Sequence, residues 1–392
     1  MLVHEKLHQA IGILREYNVD CWLTFTRESQ LNGDPILPFL VNGELTWHSA
    51  LIVTSSGRTH AIVGQFDRQG VVDLGAYGQV DGYVKSFKEP FLAVIRQLNP
   101  RSIAVNYSTG SEICDGLTHG MYLLLEATLA EIGFQDRLVS AEKIVSALRQ
   151  RKTPSEIDTM KEAIKRTEEI FRKVTGFIRP GRTEKEIAAF MRGEVEKGRV
   201  GFAWEQSTCP AVFTGPDTAA AHYAPTDRKV EQGHLLNIDF GVRVNEYCSD
   251  FQRTFYVRNN DESVAPPDVQ KGFDTIVRSI ELSQQALKPG VLGVDIDRIA
   301  RDTIVAGGYE EFPHALGHQV GRFSHDGTAL LGPAWEKYAD KPFEKIEQGM
   351  VFTLEPRLTV ARHGIATIEE MVLVTENGSE YLSTPQKELL LV

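Results

Sequence analysis

Apolar positions along the first 150 residues alternate between helix-like and strand-like spacing. Residues 2–17 place apolar side chains every three or four positions, as an amphipathic helix does, and lead into the strand-like run CWLTFT. SALIVTSSGRTHAIV predicts two strands around a Ser-Ser-Gly turn. The alternation continues with a helix in SFKEPFLAVIRQL, a short strand in SIAVNY and a helix in GLTHGMYLLLEATLAEIG. This order predicts an α/β domain for residues 1–150.

A domain boundary is predicted within the segment ALRQRKTPSEID. A basic, polar stretch there meets Pro154, and SEID opens a long amphipathic helix that is expected to end near Ile178. RPGRT then stops this helix, and Thr183 and Glu186 have the spacing of a capping box for the next one. Residues 151–392 are therefore predicted to form a second domain.

The second domain shows the pattern of an internal repeat. Two helices and several strands follow the boundary, and the same order recurs from helices expected at 268–287 and 294–306. LKPGVLGVDID is similar to IRPGRTEKEIA in both pattern and position. An α+β domain with two pseudo-symmetric halves is therefore predicted.

Composition and charge are those of a soluble globular protein. The 392 residues are 42% hydrophobic and 24% charged, and the net charge of −11 argues against a nucleic-acid partner. No run approaches the roughly 18 apolar residues of a membrane span. The N-terminal helix lacks the apolar core of a signal peptide, and the four scattered cysteines indicate neither a disulfide framework nor a zinc knuckle. A cytoplasmic protein is the expectation.

Acidic residues interrupt strands that are otherwise apolar. In HLLNIDFGVRVNEYCSDFQRTFYV, apolar side chains alternate onto one face and Asp239 lies on the other. A hairpin around Val244–Asn245 would place Asp239 directly opposite Asp250, about 5 Å apart between Cβ atoms. Two buried carboxylates at that distance must share a proton or a cation. A metal site and a pair of surface acids on an edge hairpin both remain open at this point.

Two C-terminal strands carry further acids. GMVFTLEPRLTV has Glu355 at a strand end before Pro356, and GIATIEEMVLV has Glu369 and Glu370. An acid inside such an apolar strand is costly unless it is paired or metal-bound. The alternative is a strand end that faces solvent, and this alternative fits Glu370 better than Glu369.

The segment HALGHQVGRFSHDG contains three of the chain's eleven histidines. Gly317 and Gly321 argue against a helix, so the four-residue spacing of His314 and His318 is not that of a zinc-binding helix. In an extended segment these two share a face, and His325 joins them only if the chain turns at Gly321. Three histidines in a chain with four strand-borne acids favour a metal site over structural histidines.

Six motifs occur between His222 and Glu370, in the order HYAPT, NIDFG, SDFQRTF, HALGHQVG with a following His, TLEP and IEE. With these motifs the chain resembles the pita-bread metallopeptidases, which include aminopeptidase P, prolidase, methionine aminopeptidase and the metal-free creatinase. The resemblance implies a creatinase/prolidase-type α/β domain at 1–150 and a pita-bread catalytic domain at 151–392. Such an N-terminal domain commonly helps to form a homodimer and borders the active site. Simple methionine aminopeptidases usually lack it, so an Xaa-Pro peptidase is favoured.

The resemblance also implies metal ligands and catalytic residues. The five implied ligands of two divalent ions are Asp239, Asp250, His318, Glu355 and Glu369. One histidine among four carboxylates is a hard donor set that suits Mn²⁺, Co²⁺ or Fe²⁺; Mn²⁺ is expected, and Zn²⁺ is an alternative. Glu355 would also move a proton, and His222, His314 and His325 would hold the substrate and stabilise the oxyanion. The implied reaction is hydrolysis of the bond before proline in a small peptide, by a water that two ions activate.

Three positions depart from the pattern of the Xaa-Pro enzymes. Arg357 follows EP where these enzymes usually have Gly, Thr367 stands where they often have Arg, and Arg322 occupies a usually apolar position. Creatinase-like C–N hydrolysis or a lyase reaction on a small organic acid is therefore an alternative. A binding-only descendant is a third hypothesis, although it would be expected to lose metal ligands. Arg322 or Arg357 could pair with a substrate carboxylate, and a surface or structural salt bridge is the alternative for each.

Overall fold

A computed structural model describes residues 2–218 and 224–392 of the chain. It forms two compact units that divide after Arg149, within the segment ALRQRKTPSEID. The helices and strands of the first unit are α1 (Leu2–Glu16), β1 (Cys21–Thr26), β2 (Ser49–Thr54), β3 (Thr59–Gly64), α2 (Arg68–Asp73), β4 (Gln79–Tyr83), α3 (Lys88–Leu98), β5 (Ile103–Val105), α4 (His119–Ala130), β6 (Leu138–Ser140) and α5 (Glu142–Gln150).

The first unit is a six-stranded mixed sheet with helices on both faces. The strand order is β4-β3-β2-β1-β5-β6, antiparallel among β1, β2 and β3 and parallel at the other pairs. Side chains of β1 alternate between two cores: Trp22 packs with apolar residues of α1 and α5, and Leu23 with those of α3 and α4. A strand that is buried on both faces is apolar throughout, which explains the run CWLTFT.

The second unit contains four small sheets and four long helices among its described residues. Its elements are α6 (Pro154–Thr175), α7 (Glu184–Gly198), β7 (Gly201–Phe202), β8 (Ala211–Thr214), β9 (Leu235–Phe240), β10 (Val242–Val244), β11 (Tyr247–Cys248), β12 (Phe251–Tyr256), α8 (Pro267–Ala286), α9 (Gly293–Ala306), β13 (Val351–Leu354), β14 (Arg357–Val360), β15 (Gly364–Thr367), β16 (Glu370–Val374), β17 (Ser379–Tyr381) and β18 (Leu390–Leu391). The sheets have the strand orders β18-β12-β9-β8, β11-β10-β7, β13-β16-β17 and β14-β15. Of the helices in the described ranges, none has the length and apolar character needed to cross a membrane.

The turns that lead into α7 and α9 are alike, although α7 has a capping box at Thr183 and α9 has no side-chain cap. Gly181 and Gly290 precede the helices with left-handed φ angles of 88° and 89°, a conformation that glycine adopts at no steric cost. The amide of Gly181 donates to the carbonyl of Val230, and that of Gly290 donates to the carbonyl of Ile346. Each half of the unit thus repeats one helix–turn–helix connection and the backbone contact that anchors it, as two pseudo-symmetric halves require.

The hairpin between β9 and β12 differs from the predicted register. Asp239 lies opposite Gln252 and not opposite Asp250. The turn lies at Asn245 and Glu246, with left-handed φ angles of 45° and 69°, one residue later than expected. A turn displaced by one residue shifts the pairing by two, so the strand side chains keep their predicted faces. Asp250 immediately precedes β12.

Candidate metal centre

Four acids and one histidine of the second unit come from strand ends and from one loop. Asp239 belongs to β9, Asp250 precedes β12, and Glu355 follows β13. Glu369 precedes β16, and His318 lies in the loop between α9 and β13. Asp239, Asp250 and Glu369 are only 7%, 5% and 1% exposed. These acids are therefore not surface residues of an edge hairpin.

The acidic side chains converge on the imidazole of His318. Its Nε2 atom lies 3.4 Å from Oε1 of Glu355, 3.9 Å from Oδ2 of Asp250 and 4.0 Å from Oε1 of Glu369. One potential ligand atom from each of Asp250, His318 and Glu369 lies within 4.8 Å of the other two. One divalent cation can therefore contact all three residues.

Burial and mutual repulsion raise the pKa values of the four acids. Burial raises the pKa of Asp239 to about 7. Burial, followed by repulsion from Asp239 and Glu355, raises the pKa of Asp250 well above its usual range. Burial, followed by repulsion from Asp250 and Asp239, raises the pKa of Glu369 well above its usual range. The pKa of Glu355 is raised by burial first, and then by the charges of Glu369 and Asp239. A bound divalent cation would offset both causes, because it replaces the lost hydration and neutralises the repulsion.

Two carboxylate oxygens of the cluster are buried without a hydrogen bond to any described residue. They are Oδ1 of Asp239 and Oε2 of Glu369. Burying a polar atom without a partner costs free energy, and more so when the group is charged. Oxygen donors accompanied by one imidazole suit hard and borderline divalent cations. The residues of this cluster therefore fit a metal site.

The loop segment that carries His318 runs along β13 like an additional strand. The amide of Thr353 donates to the carbonyl of His318 (2.9 Å), and the amide of Glu355 donates to the carbonyl of Leu316 (2.8 Å). Gly317 permits this approach, because a Cβ atom there would lie 1.9 Å from the carbonyl oxygen of Thr353. The prediction that the histidine segment is not helical is confirmed, and its first glycine brings His318 close to Glu355.

The loop bends after His318, as the sequence required for a third histidine to join the cluster. The amide of Gly321 donates to the carbonyl of Phe323 (3.0 Å), which closes a tight turn. The ring of His325 then packs edge-on against that of His318, with 4.1 Å between ring centroids. His325 therefore lies beside the carboxylate cluster.

The remaining two histidines of the predicted site are His314 and His222. His314 packs against Phe312, with 5.2 Å between ring centroids, and its Nδ1 atom lies 2.8 Å from the carbonyl oxygen of Ala315. His222 lies outside the described residues. The structure thus brings His318 and His325 together and gives His314 local contacts of its own.

Gln252 is a residue of the cluster that sequence analysis missed. Its Nε2 atom donates to Oε2 of Glu355 (3.4 Å), and its Oε1 atom accepts a hydrogen bond from Oγ1 of Thr367 (3.2 Å). Gln252 also lies opposite Asp239 in the hairpin. The alternation of β12 indicated its face, but only the observed register places it beside the acids.

Glu370 is buried, so the alternative of a solvent-facing strand end does not apply to it. It is 1% exposed, and its carboxylate lies 3.0 Å from Nη1 of Arg253. The hydroxyl of Ser383 donates to the same carboxylate. Nη1 of Arg253 also donates to the backbone carbonyl of Glu369 (3.1 Å). This buried ion pair therefore holds the strand end that carries Glu369.

The two unexpected arginines have different surroundings. Nη2 of Arg322 lies 3.8 Å from a carboxylate oxygen of Glu246, and its guanidinium lies over the ring of Tyr247. Arg357 is partly buried, and burial lowers its pKa. Within residues 2–218 and 224–392, Arg357 forms no side-chain hydrogen bond and no ion pair. The salt-bridge alternative thus applies to Arg322 and not to Arg357.

The family of the chain follows from comparison with known proteins. The model of metallopeptidase family M24 matches residues 158–376, which include all five predicted ligands. The chain belongs to metallopeptidase family M24. An uncharacterized peptidase of Staphylococcus epidermidis is 31% identical over 63% of this chain and 66% of its own length. The Xaa-Pro dipeptidase of Pyrococcus furiosus is 28% identical over 64% of this chain and 67% of its own length. The chain therefore spans just under two thirds of the Staphylococcus relative and about two thirds of the Pyrococcus relative.

Solved structures extend the likeness to the whole chain. An Xaa-Pro dipeptidase from Bacillus anthracis superposes with a TM-score of 0.74 at 22% identity and covers 100% of both chains. An X-Pro aminopeptidase from Thermotoga maritima superposes with a TM-score of 0.70 at 23% identity and covers 98% of this chain and 99% of its own. The predicted family and the predicted fold class, an α/β domain followed by a pita-bread domain, are confirmed.

Proposed function

We propose that the protein is a dinuclear-metal peptidase that hydrolyses the peptide bond preceding proline in small peptides. The convergence of His318 with buried carboxylates, in a chain of family M24, is the observation that carries this proposal. Proteins of similar sequence or fold that are named Xaa-Pro dipeptidase and X-Pro aminopeptidase support the preference for proline.

The proposed ligands divide between two divalent ions. Asp239 would bind one ion, His318 and Glu355 would bind the other, and Asp250 and Glu369 would contact both. The orphaned oxygens of Asp239 and Glu369 support the assignment, because each needs a partner that the described residues do not supply. The hard donor set favours Mn²⁺ over Zn²⁺.

The chain's own residues would hold the substrate and move the proton. When bound, the two ions would lower the pKa of a water and polarise the scissile carbonyl. Glu355 would accept a proton from this water and pass it to the leaving nitrogen. Hydrogen bonds from Gln252 and from the hydroxyl of Thr353 hold the two oxygens of its carboxylate. His325 would stabilise the oxyanion.

His314 and His222 complete the proposed set of substrate-binding histidines. His314 is held by local contacts in the loop that also carries His318. Replacing either histidine by alanine should lower kcat/KM while the metal content is retained. Loss of metal together with activity would contradict a role in binding substrate.

A metal-reconstitution assay tests the proposal. The protein would be stripped with chelator, reloaded with Mn²⁺, Co²⁺, Fe²⁺ or Zn²⁺, and assayed with Xaa-Pro dipeptides, Xaa-Pro-Yaa tripeptides and matched Xaa-Ala peptides. We expect metal-dependent turnover with a preference for proline. Turnover of dipeptides alone would identify a dipeptidase, and turnover of tripeptides an aminopeptidase of the P type. Hydrolysis of no peptide with any metal would refute the proposal, and turnover of creatine or a small organic acid instead would favour the alternative chemistry.

We further propose that the protein is a cytoplasmic homodimer, in which residues 1–150 contribute to the dimer and border an active site. All four cysteines are buried free thiols, which fits a reducing compartment. Light scattering should give twice the chain mass of 43.7 kDa. A monomer mass would contradict this part of the proposal and leave the metal centre unaffected.

A further inference from the structure

Arg357 lies on the face of the β14–β15 hairpin that is turned towards the carboxylate cluster. It is paired with Thr367 across the hairpin, so the two side chains share a face. The hydroxyl of Thr367 donates to Gln252 (3.2 Å), whose amide donates to Glu355 (3.4 Å). On the opposite face, Leu358 packs in the apolar core against α8. Arg357 therefore lies beside Thr367, which two successive hydrogen bonds connect to Glu355 of the proposed metal centre.

The positive charge of Arg357 is not compensated by the described chain. Its guanidinium is partly buried, yet it forms neither a hydrogen bond nor an ion pair with residues 2–218 or 224–392. Buried arginines elsewhere in this unit have carboxylate partners: Arg253 lies 3.0 Å from Glu370, and Arg301 lies 2.6 Å from Asp297. Partial burial of a cation without a partner costs free energy, which an anionic ligand would offset.

We propose that Arg357 binds the C-terminal carboxylate of the peptide substrate and thereby selects dipeptides. This assignment rests on the peptidase function proposed above. The planar guanidinium matches a carboxylate with two parallel hydrogen bonds. In a dipeptide the terminal carboxylate is separated from the scissile carbonyl carbon by only a nitrogen and a Cα atom, so the group that binds it must lie beside the reaction centre. In a longer peptide that position holds a neutral amide.

Arg322 is the competing residue for this role, and its surroundings fit it less well. Its guanidinium already lies over Tyr247 and near Glu246, so an added carboxylate would have to compete with an existing acid. Arg357 has no such competitor among the described residues. Arg357 is therefore the better candidate for binding the substrate carboxylate.

A pair of substrates that differ only in the terminal charge tests the assignment. The metal-loaded wild type and the variants Arg357→Gln and Arg357→Lys would be assayed with one Xaa-Pro dipeptide, as the free acid and as the C-terminal amide. Arg362→Gln is the matched control, because Arg362 is exposed in the turn of the same hairpin. Arg357→Gln should lower kcat/KM for the free acid about 10- to 100-fold, chiefly through KM, and leave the amide nearly unchanged. Arg357→Lys should be intermediate, and Arg362→Gln should resemble the wild type.

Binding measurements separate this assignment from the peptidase proposal. A non-hydrolysable analogue of the dipeptide, with a reduced scissile bond, would be titrated calorimetrically as the acid and as the amide. If no peptide is hydrolysed, the peptidase proposal fails, and binding alone decides on Arg357. The assignment is supported if Arg357→Gln binds the acid about tenfold or more weakly than the wild type and binds the amide equally well. An equal effect on acid and amide, an unchanged preference, or a wild type that does not bind the acid would overturn it.

Discussion

The metal-free protein should lose stability as the pH rises, because Asp239 holds a buried proton in the folded state. Asp239 is 7% exposed, and burial raises its pKa from 3.8 to about 7. Between these two values the folded chain retains a proton that the unfolded chain has released. The contribution of Asp239 to the free energy of unfolding therefore falls as the pH rises from about 4, and the penalty is complete above about 7.

The substitution Asp239→Asn isolates this penalty, because it removes the charge and keeps the shape of the side chain. A pKa raised by about three units corresponds to roughly 4 kcal/mol at 1.36 kcal/mol per unit. At pH 8 the metal-free variant should be more stable than the wild type by about that amount or more, and at pH 4 the two should agree. For a unit of this size, a gain of roughly 4 kcal/mol raises Tm by about 10 °C.

The assay is thermal unfolding in excess chelator at pH 4, 6 and 8. The measured quantity is the difference between variant and wild type, which cancels the contributions of acids outside the cluster. Removing the charge of Asp239 also relieves its repulsion of Asp250, Glu355 and Glu369, which adds to the difference in the same direction. Asp302→Asn is the control, because Asp302 is exposed on α9 and its substitution should produce no pH-dependent difference. Saturating Mn²⁺ should reverse the order at pH 8, because the wild type retains a ligand that the variant lacks. A difference that does not grow between pH 4 and pH 8 would refute the electrostatic account of this site.

Three further substitutions test other parts of the site. Asp250→Ala should reduce the metal content from near two ions per chain to near none and abolish activity; retained activity would rule out a ligand shared by both ions. Arg253→Met should leave Glu370 buried without its partner, at a cost of about 3–5 kcal/mol by chemical denaturation, and adding Glu370→Gln should restore part of the loss. Gly317→Ala places a Cβ atom 1.9 Å from a carbonyl oxygen of the β13 strand, so Tm and metal affinity should both fall. The control Gly193→Ala, in the interior of α7 with nothing within 4 Å, should leave metal affinity unchanged and should not lower Tm, because alanine favours a helix more than glycine does.

The alternation of apolar residues was enough to predict the faces of β9 and β12, but not their pairing. A face depends on a period of two within one strand, which the run LLNIDF displays directly. The pairing depends on the turn, and neither Val244–Asn245 nor Asn245–Glu246 contains the glycine that marks a tight hairpin turn. The error of two residues left the face of Asp239 correct and misidentified its neighbour, which is Gln252.

Burial of Glu370 depends on a contact that no local pattern displays. Its partner Arg253 is 117 residues away in sequence, and the two meet only because β12 and β16 pack together in the folded unit. For His325, the prediction was conditional on a turn at Gly321 within the same segment. The folded loop contains this turn, and His325 lies against His318. Sequence reasoning thus succeeded where the spacing or a glycine within one segment decided the outcome. It failed where the outcome depended on an unmarked turn or on a partner distant in sequence.

Buried charged residues of the second unit differ in whether they have a partner of opposite charge inside the chain. In the described residues, Asp297 and Glu370 each have an arginine partner inside the chain. Nε2 of His318 lies within 4.0 Å of three acids of the proposed metal centre, and Arg357 forms no ion pair in the described residues. The described residues therefore leave an excess of negative charge at the proposed metal centre and an uncompensated positive charge at Arg357, on the hairpin face turned towards that centre. Divalent cations would offset the first and a peptide carboxylate would offset the second, so the electrostatic argument that supports the proposed metal centre also favours a substrate with a free C-terminus.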